Sequence, residues 1–326
     1  MILGQDRAVA QFASAWATRR LHHAWLLAGP RGVGKASFAH AAARRALADA
    51  AGPPSELPFL ETPDDHPIVK LVEAGSHPDM RWLERLANEK TGNLNRNIKI
   101  DQVRELGGFM AMTAALSPWR VAVIDSVDDL EPAGANALLK MLEEPPSNTL
   151  FFLVSHAAGR LLPTIRSRCR RLDFHELDDD AMTSILETQA PSLSAAERQK
   201  ISGMSNGSAG RALAFAELDL ARLEDAALGI LRQGDPTNAR RSDLAAELGK
   251  KAAADRYAAF LDLAPSLIAR EARGLEGQPR ERALDAYAKA RELATIAPRL
   301  SLDPAATVFQ IGGILAEVAG PASLKR

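Results

Sequence analysis

Gly29-Pro30-Arg31-Gly32-Val33-Gly34-Lys35-Ala36-Ser37 follows the apolar run Ala24-Trp25-Leu26-Leu27-Ala28 and opens the alanine-rich, helix-favouring segment Ser37 to Leu47. Strand, glycine loop, helix is the order that a phosphate cradle requires. Small residues let backbone N–H groups curl around phosphates, the helix presents its positive dipole end, and Lys35 can reach the outer phosphates. Gly29, Gly32, Gly34, Lys35, Ala36 and Ser37 are therefore the candidate nucleotide-binding set. One position departs from the motif: the magnesium-binding hydroxyl is expected directly after the lysine, where this chain has Ala36, and Ser37 comes one place late. The bland alternative is a strand-to-helix turn that needs glycine for sterics alone.

The 326 residues suggest two or three domains. With 46% hydrophobic and 25% charged residues the composition is that of an ordinary globular protein. No apolar run approaches the roughly 18 residues of a membrane span, and Gln5-Asp6-Arg7 begins an amphipathic pattern unlike a signal peptide, so the expected location is the cytoplasm with no membrane partner. A net charge of −1 gives no global attraction to nucleic acid. Cys169 is the single cysteine, which excludes an internal disulfide and any multi-cysteine zinc site; the seven histidines are scattered, and no metal site is expected.

Val9, Phe12, Ala13 and Trp16 predict a helix over residues 6 to 19. Six prolines between Gly52 and Pro78 predict an extended surface connection, after which Met80 to Leu83 is a short strand. Residues 101 to 115 read as a helix, Val121 to Ile124 as a strand buried on both faces, and Pro132 to Glu144 as a helix ended by Pro145-Pro146. Leu150 to Val154 and Leu172 to Phe174 add strands. Strands alternating with helices over residues 1 to 175 predict a three-layer α/β domain with a parallel sheet flanked by helices. Beyond Asp178 only helical signals remain: a capping box at Ser194-Ala195-Ala196-Glu197, a helix from Ala209 to Glu217, and an N-cap with first-turn proline at Asp303-Pro304. The expected division is 1–175, a small helical domain over 176–222, and an all-α bundle over 223–326.

Asp125, at the carboxyl end of a buried strand, faces the phosphate loop and could hold magnesium through water, but the residue after it is Ser126 where hydrolytic enzymes of this layout place a glutamate. Asp128 and Asp129 read as a solvated acidic helix start, with a displaced base as the other possibility. Arg166, Arg168, Arg170 and Arg171 in six residues would suit an anion, or form a solvated basic face. Cys169 among them reads as a small buried residue, and Gly207-Ser208-Ala209-Gly210-Arg211-Ala212-Leu213 only as a capped helix start.

Taken together, Ala135-Asn136-Ala137-Leu138-Leu139-Lys140-Met141-Leu142-Glu143-Glu144-Pro145-Pro146, the apolar strand after it and Ser167-Arg168-Cys169 resemble the clamp-loader subunits of the AAA+ class over residues 3 to about 215. The resemblance implies a P-loop domain, a helical lid and a helical collar that oligomerises. It implies that Arg168, with Ser167 and Cys169, is an arginine finger serving a neighbouring subunit's ATP site, that Leu3-Gly4-Gln5 flanks an adenine pocket, and that Ser155 is a γ-phosphate sensor. The second-sensor arginine of the family falls on Gly210, and Arg211 is one residue late. Ala36 and Asp125-Ser126 resemble the delta-prime branch, which lacks a working ATPase. The implied function is a non-hydrolysing stator in the bacterial DNA polymerase III clamp loader, with gamma/tau ATPase and delta subunits as partners and the sliding clamp and primed DNA reached through the complex. No cofactor is required, ATP or ADP binding stays open, and zinc is excluded. The alternative is an active ATPase of the gamma/tau type that uses Asp128 as a displaced base.

Overall fold

The computed structural model describes residues 2–18, 21–53, 56–58, 60–87 and 94–319. Residues through Gln189 together with Ser202–Arg211 form one compact unit, and Ala190–Ile201 with the chain from Ala212 onward form a second.

The first unit begins with α1 (Asp6–Ala17), β1 (Ala24–Ala28) and α2 (Lys35–Ala51). It continues through α3 (Pro67–Glu73), β2 (Met80–Glu84), α4 (Ile100–Ala111), β3 (Arg120–Asp125) and α5 (Pro132–Glu143). Then come β4 (Thr149–Ser155), α6 (Pro163–Ser167), β5 (Arg170–Asp173) and α7 (Asp179–Gln189). The five strands make one sheet in the order β2-β3-β4-β1-β5, and every neighbouring pair is parallel.

The uninterrupted apolar runs follow from burial on both faces. Trp25, Leu27, Val121, Val123, Phe152 and Val154 point to one side, where they meet Phe12 of α1 and Phe38 of α2. Leu26, Ala122, Ile124, Phe151 and Leu153 point to the other, where Val103 and Leu106 of α4 and Leu138 and Leu142 of α5 cover them. The period-two alternation thus sorts one strand into two cores. The ring of Phe12 stands edge-on to Trp25 with centroids 4.8 Å apart, which fixes α1 against β1.

The proline-rich connection differs from expectation. Pro54 lies outside the described residues, but Pro67 is the first residue of α3, His66 Nδ1 accepts from the Ile68 N–H, and Ile68, Val69 and Val72 are buried. Buried Arg45 of α2 ties down the segment before it, donating to the carbonyls of Leu57, Pro58 and Glu61 and pairing with Asp49 at 2.8 Å. The prolines mark a helix start and a pinned loop, where the sequence predicts an extended strap.

After α8 (Ala195–Ser205) and α9 (Ala209–Glu217), the helices are α10 (Leu220–Gln233), α11 (Ala239–Leu248), α12 (Ala254–Ala272), α13 (Gly277–Arg299) and α14 (Pro304–Val318). The capping box at the start of α8 forms as read: Ser194 Oγ accepts from the Glu197 N–H while Glu197 Oε2 accepts from Ser194 N–H. Asp303 caps α14 by accepting from Ala306 N–H, with Pro304 at the first position. In the second unit the buried Glu224 carboxylate pairs with Arg270 at 2.5 Å and lies 3.7 Å from Lys200.

One buried carboxylate positions the entry to β3. Asp79 accepts from the N–H groups of Ala115, Leu116 and Ser117 at 2.6, 2.7 and 2.9 Å. Burial alone would raise its pKa, but these three donors and His77 outweigh it and hold the carboxyl below its ordinary value. Such a group stabilises the fold above the unfolded pKa and loses that contribution as pH falls through the folded one. Replacing Asp79 by Ala leaves three donors without their acceptor and is expected to cost roughly 3 kcal/mol. The acid limb of the stability profile should also become shallower. All four tryptophans lie in this unit, so urea denaturation followed by tryptophan fluorescence at several pH values measures both effects.

Candidate functional site

The carboxyl ends of β1, β3 and β4 deliver the candidate residues to one edge of the sheet. Gly29 to Gly34 leave β1 and turn into α2. Gly34 caps that helix at φ +97°, a left-handed conformation that glycine adopts without strain. Gly32, at φ +77°, is further constrained because a Cβ there would sit 2.3 Å from Ser208 Oγ.

Lys35 is almost fully buried, and its ammonium donates to the carbonyl of Gly29 at 2.7 Å and to that of Pro30. Burial pushes its pKa down to about 8; Asp125 and Asp128 oppose the shift and Arg31 adds to it. Ala36 and Ser37 stand in the first turn of α2, where Ser37 opens onto a groove shared with His40, Arg44 and Trp82.

Asp125 ends β3 beside Glu84, its register partner on β2. Burial first, and Glu84 second, raise its pKa, against the pull of Lys35 and Arg31. Asp128 corrects the sequence reading. Its carboxylate accepts from Ser155 Oγ at 2.9 Å, from His156 N–H at 2.6 Å, from Ala157 N–H at 3.3 Å and from Ser126 Oγ at 3.3 Å. It is a knot between the ends of β3 and β4, and no solvated helix start. Ser155, read as a sensor, spends its hydroxyl proton on that knot.

The glycine-rich start of α9 also does more than cap its own helix. Gly210 N–H donates to the Gly32 carbonyl at 2.8 Å, and Ser208 Oγ donates to the Arg31 carbonyl at 3.0 Å. A Cβ at Gly210 would lie 3.1 Å from Gly32 Cα, so the backbones meet with no room for a side chain. At the other flank, Gln5 donates from Nε2 to the carbonyls of Val33 and His175 and accepts His175 N–H on Oε1. Both clamps join segments distant in sequence, and only the Gly-Ser-x-Gly spacing hints at the first.

One ligand of a magnesium–nucleotide complex is missing: position 36 offers a methyl group where a hydroxyl belongs, while Lys35 is bonded to its own loop and the Ser155 hydroxyl to Asp128. Among the described residues no cluster of three His, Cys, Asp or Glu could hold a metal ion, and no helix is long and apolar enough to cross a membrane.

Arg168 lies elsewhere. It caps α6 two residues before β5, and the first register pair of β5 is Arg170 with Trp25 near the start of β1. It therefore sits at the amino end of the sheet, opposite the glycine loop. Its guanidinium pairs with Glu143 at 2.7 Å and donates to the Thr164 carbonyl at 3.0 Å, with about a third of the side chain exposed. Ser167 Oγ donates to the same carbonyl. Burial pushes the Cys169 thiol up to about 12, in keeping with a packing role. The other arginines do not converge on one anion: Arg170 stacks over Trp25 at 5.2 Å and Arg171 pairs with Asp173 at 2.6 Å.

A family model described as DNA polymerase III, delta subunit, matches residues 4–178. The chain is 41% identical over 150 residues to DNA polymerase III subunit delta' of Pseudomonas aeruginosa, covering 45% of this chain and 41% of that protein. It is 34% identical over 166 residues to subunit delta' of Escherichia coli, covering 49% and 44%. It is 26% identical over 237 residues to subunit tau of Bacillus subtilis, covering 70% and 39%. The matched stretch spans less than half the length of each of these relatives.

A lysine whose folded pKa is near 8 and whose unfolded value is near 10.5 makes stability rise with pH between those two values, because only the unfolded chain then keeps the proton. Wild-type stability in the first unit should climb from pH 8 to pH 10 relative to Lys35→Met, by roughly 1.4 kcal/mol for each unit of pKa difference. Parallel denaturation curves of the two proteins at stepped pH check the difference.

Proposed function

We propose that this chain, which belongs to the DNA polymerase III delta-subunit family of clamp-loader proteins and is similar to its delta-prime members, acts as a non-hydrolysing stator in a clamp-loader complex. In this reading Arg168 reaches the ATP site of an adjacent motor subunit and stabilises the charge of the transition state there. The observation that carries the reading is the separation of two chemistries. The glycine loop has its lysine, carbonyls and sensor hydroxyl bonded internally, while the Ser-Arg-Cys arginine is held at the surface at the opposite end of the sheet.

The partners would be ATPase subunits of the gamma/tau type and a delta subunit, with the sliding clamp and primed DNA engaged through the assembly. The helical segment over 176–222 would serve as a lid, and the helices over 223–326 as the oligomerising collar. No zinc or other cofactor is required, any ATP or ADP held at the loop is not turned over, and the protein works in the cytoplasm without a membrane attachment.

An arginine supplied in trans contributes roughly 10³ to 10⁵ in turnover where the transition-state charge is otherwise poorly neutralised. Arg168→Ala should leave the complex assembled, as judged by co-elution, and remove most of the DNA-stimulated ATP turnover at the site that it serves. Full turnover in an assembled complex would exclude the finger role.

A further inference from the structure

The Leu-Glu-Glu-Pro-Pro segment is prominent in the sequence, yet the proposed function gives it no task. Its place in the fold suggests one. Pro145 and Pro146 end α5, so Glu143 is its last helical residue and stands beside the last turn of α6. There Glu143 Oε1 meets Arg168 Nη2 at 2.7 Å, while Arg168 Nη1 donates to the Thr164 carbonyl at 3.0 Å. The guanidinium thus bonds a last-turn carbonyl of α6 and the side chain of the last helical residue of α5. Among the described residues these two contacts take two of its five N–H donors, and a third of the side chain faces solvent.

We infer that Glu143 is a positioning residue for Arg168: it holds the guanidinium in one outward-facing rotamer, so that a neighbour's phosphate meets a donor already in place. The inference rests on the finger reading. A free arginine samples many rotamers and must be ordered in the transition state, whereas a tethered one is ordered beforehand. A carboxylate suits the tether because its two oxygens match the guanidinium fork, and contact through one oxygen leaves other donors turned outward.

The test is steady-state ATP turnover of the reconstituted complex, carrying the full-length chain as wild type, Glu143→Ala, Glu143→Gln, Arg168→Ala and the Glu143→Ala/Arg168→Ala double variant. Glu143→Ala should lower kcat by about 3- to 10-fold with the ATP KM and assembly unchanged, the size expected for losing a charge-assisted contact. Glu143→Gln keeps a neutral acceptor and should fall between. Glu143→Ala should cost nothing further when Arg168 is already Ala, because the effect passes through that side chain. An unchanged or raised kcat, or an equal loss in the Arg168→Ala background, would overturn the inference. Arg168→Ala without effect would instead remove the finger itself, a failure separable from silent Glu143→Ala beside slow Arg168→Ala.

Discussion

Parallel strand polarity governs the rest of this molecule. Five strands running the same way gather every loop that follows a strand at one edge and every loop that precedes one at the other. The glycine loop, Asp125, Asp128 and Ser155 occupy the first edge. Glu143 and Arg168 occupy the second. Arg168 and the glycine loop of the same chain are therefore separated by the length of the strands.

At the first edge the controlling fact is that buried polar groups need partners. Here the chain itself supplies partners for the lysine and for the loop carbonyls. Lys35 bonds the carbonyls of Gly29 and Pro30, Asp128 collects Ser155 and two backbone N–H groups, and α9 bonds Arg31 and Gly32. A nucleotide phosphate would compete with the loop carbonyls for the Lys35 ammonium, and the missing hydroxyl at Ala36 removes one of the magnesium contacts that would compensate. In the proposed reading the loop supports the sheet, and Arg168 acts from the far edge.

The sheet was largely legible because burial on both faces demands unbroken apolar runs: β1, β3 and β4 read directly from Ala24-Trp25-Leu26-Leu27-Ala28, Val121 to Ile124 and Leu150 to Val154. The edge strand β5 was blurred because only Leu172 in it is buried, and it begins at Arg170 instead of Leu172. What the sequence hid is non-local and polar. A carboxylate that accepts backbone N–H groups, as Asp79 and Asp128 do, has no spacing signature, since its main-chain partners are 28 to 38 residues away. The same holds for Arg45 over the proline-rich loop. Arg168 and Glu143 each belong to a sequence motif, but their pairing is visible only in three dimensions.

The most direct measurement is ATP hydrolysis by the purified full-length chain beside its Lys35→Ala variant, with magnesium and primed DNA present. The proposed non-hydrolysing role predicts the same background rate for both. Turnover above background in the wild type that disappears in Lys35→Ala would contradict the account and restore the glycine loop as a working ATP site.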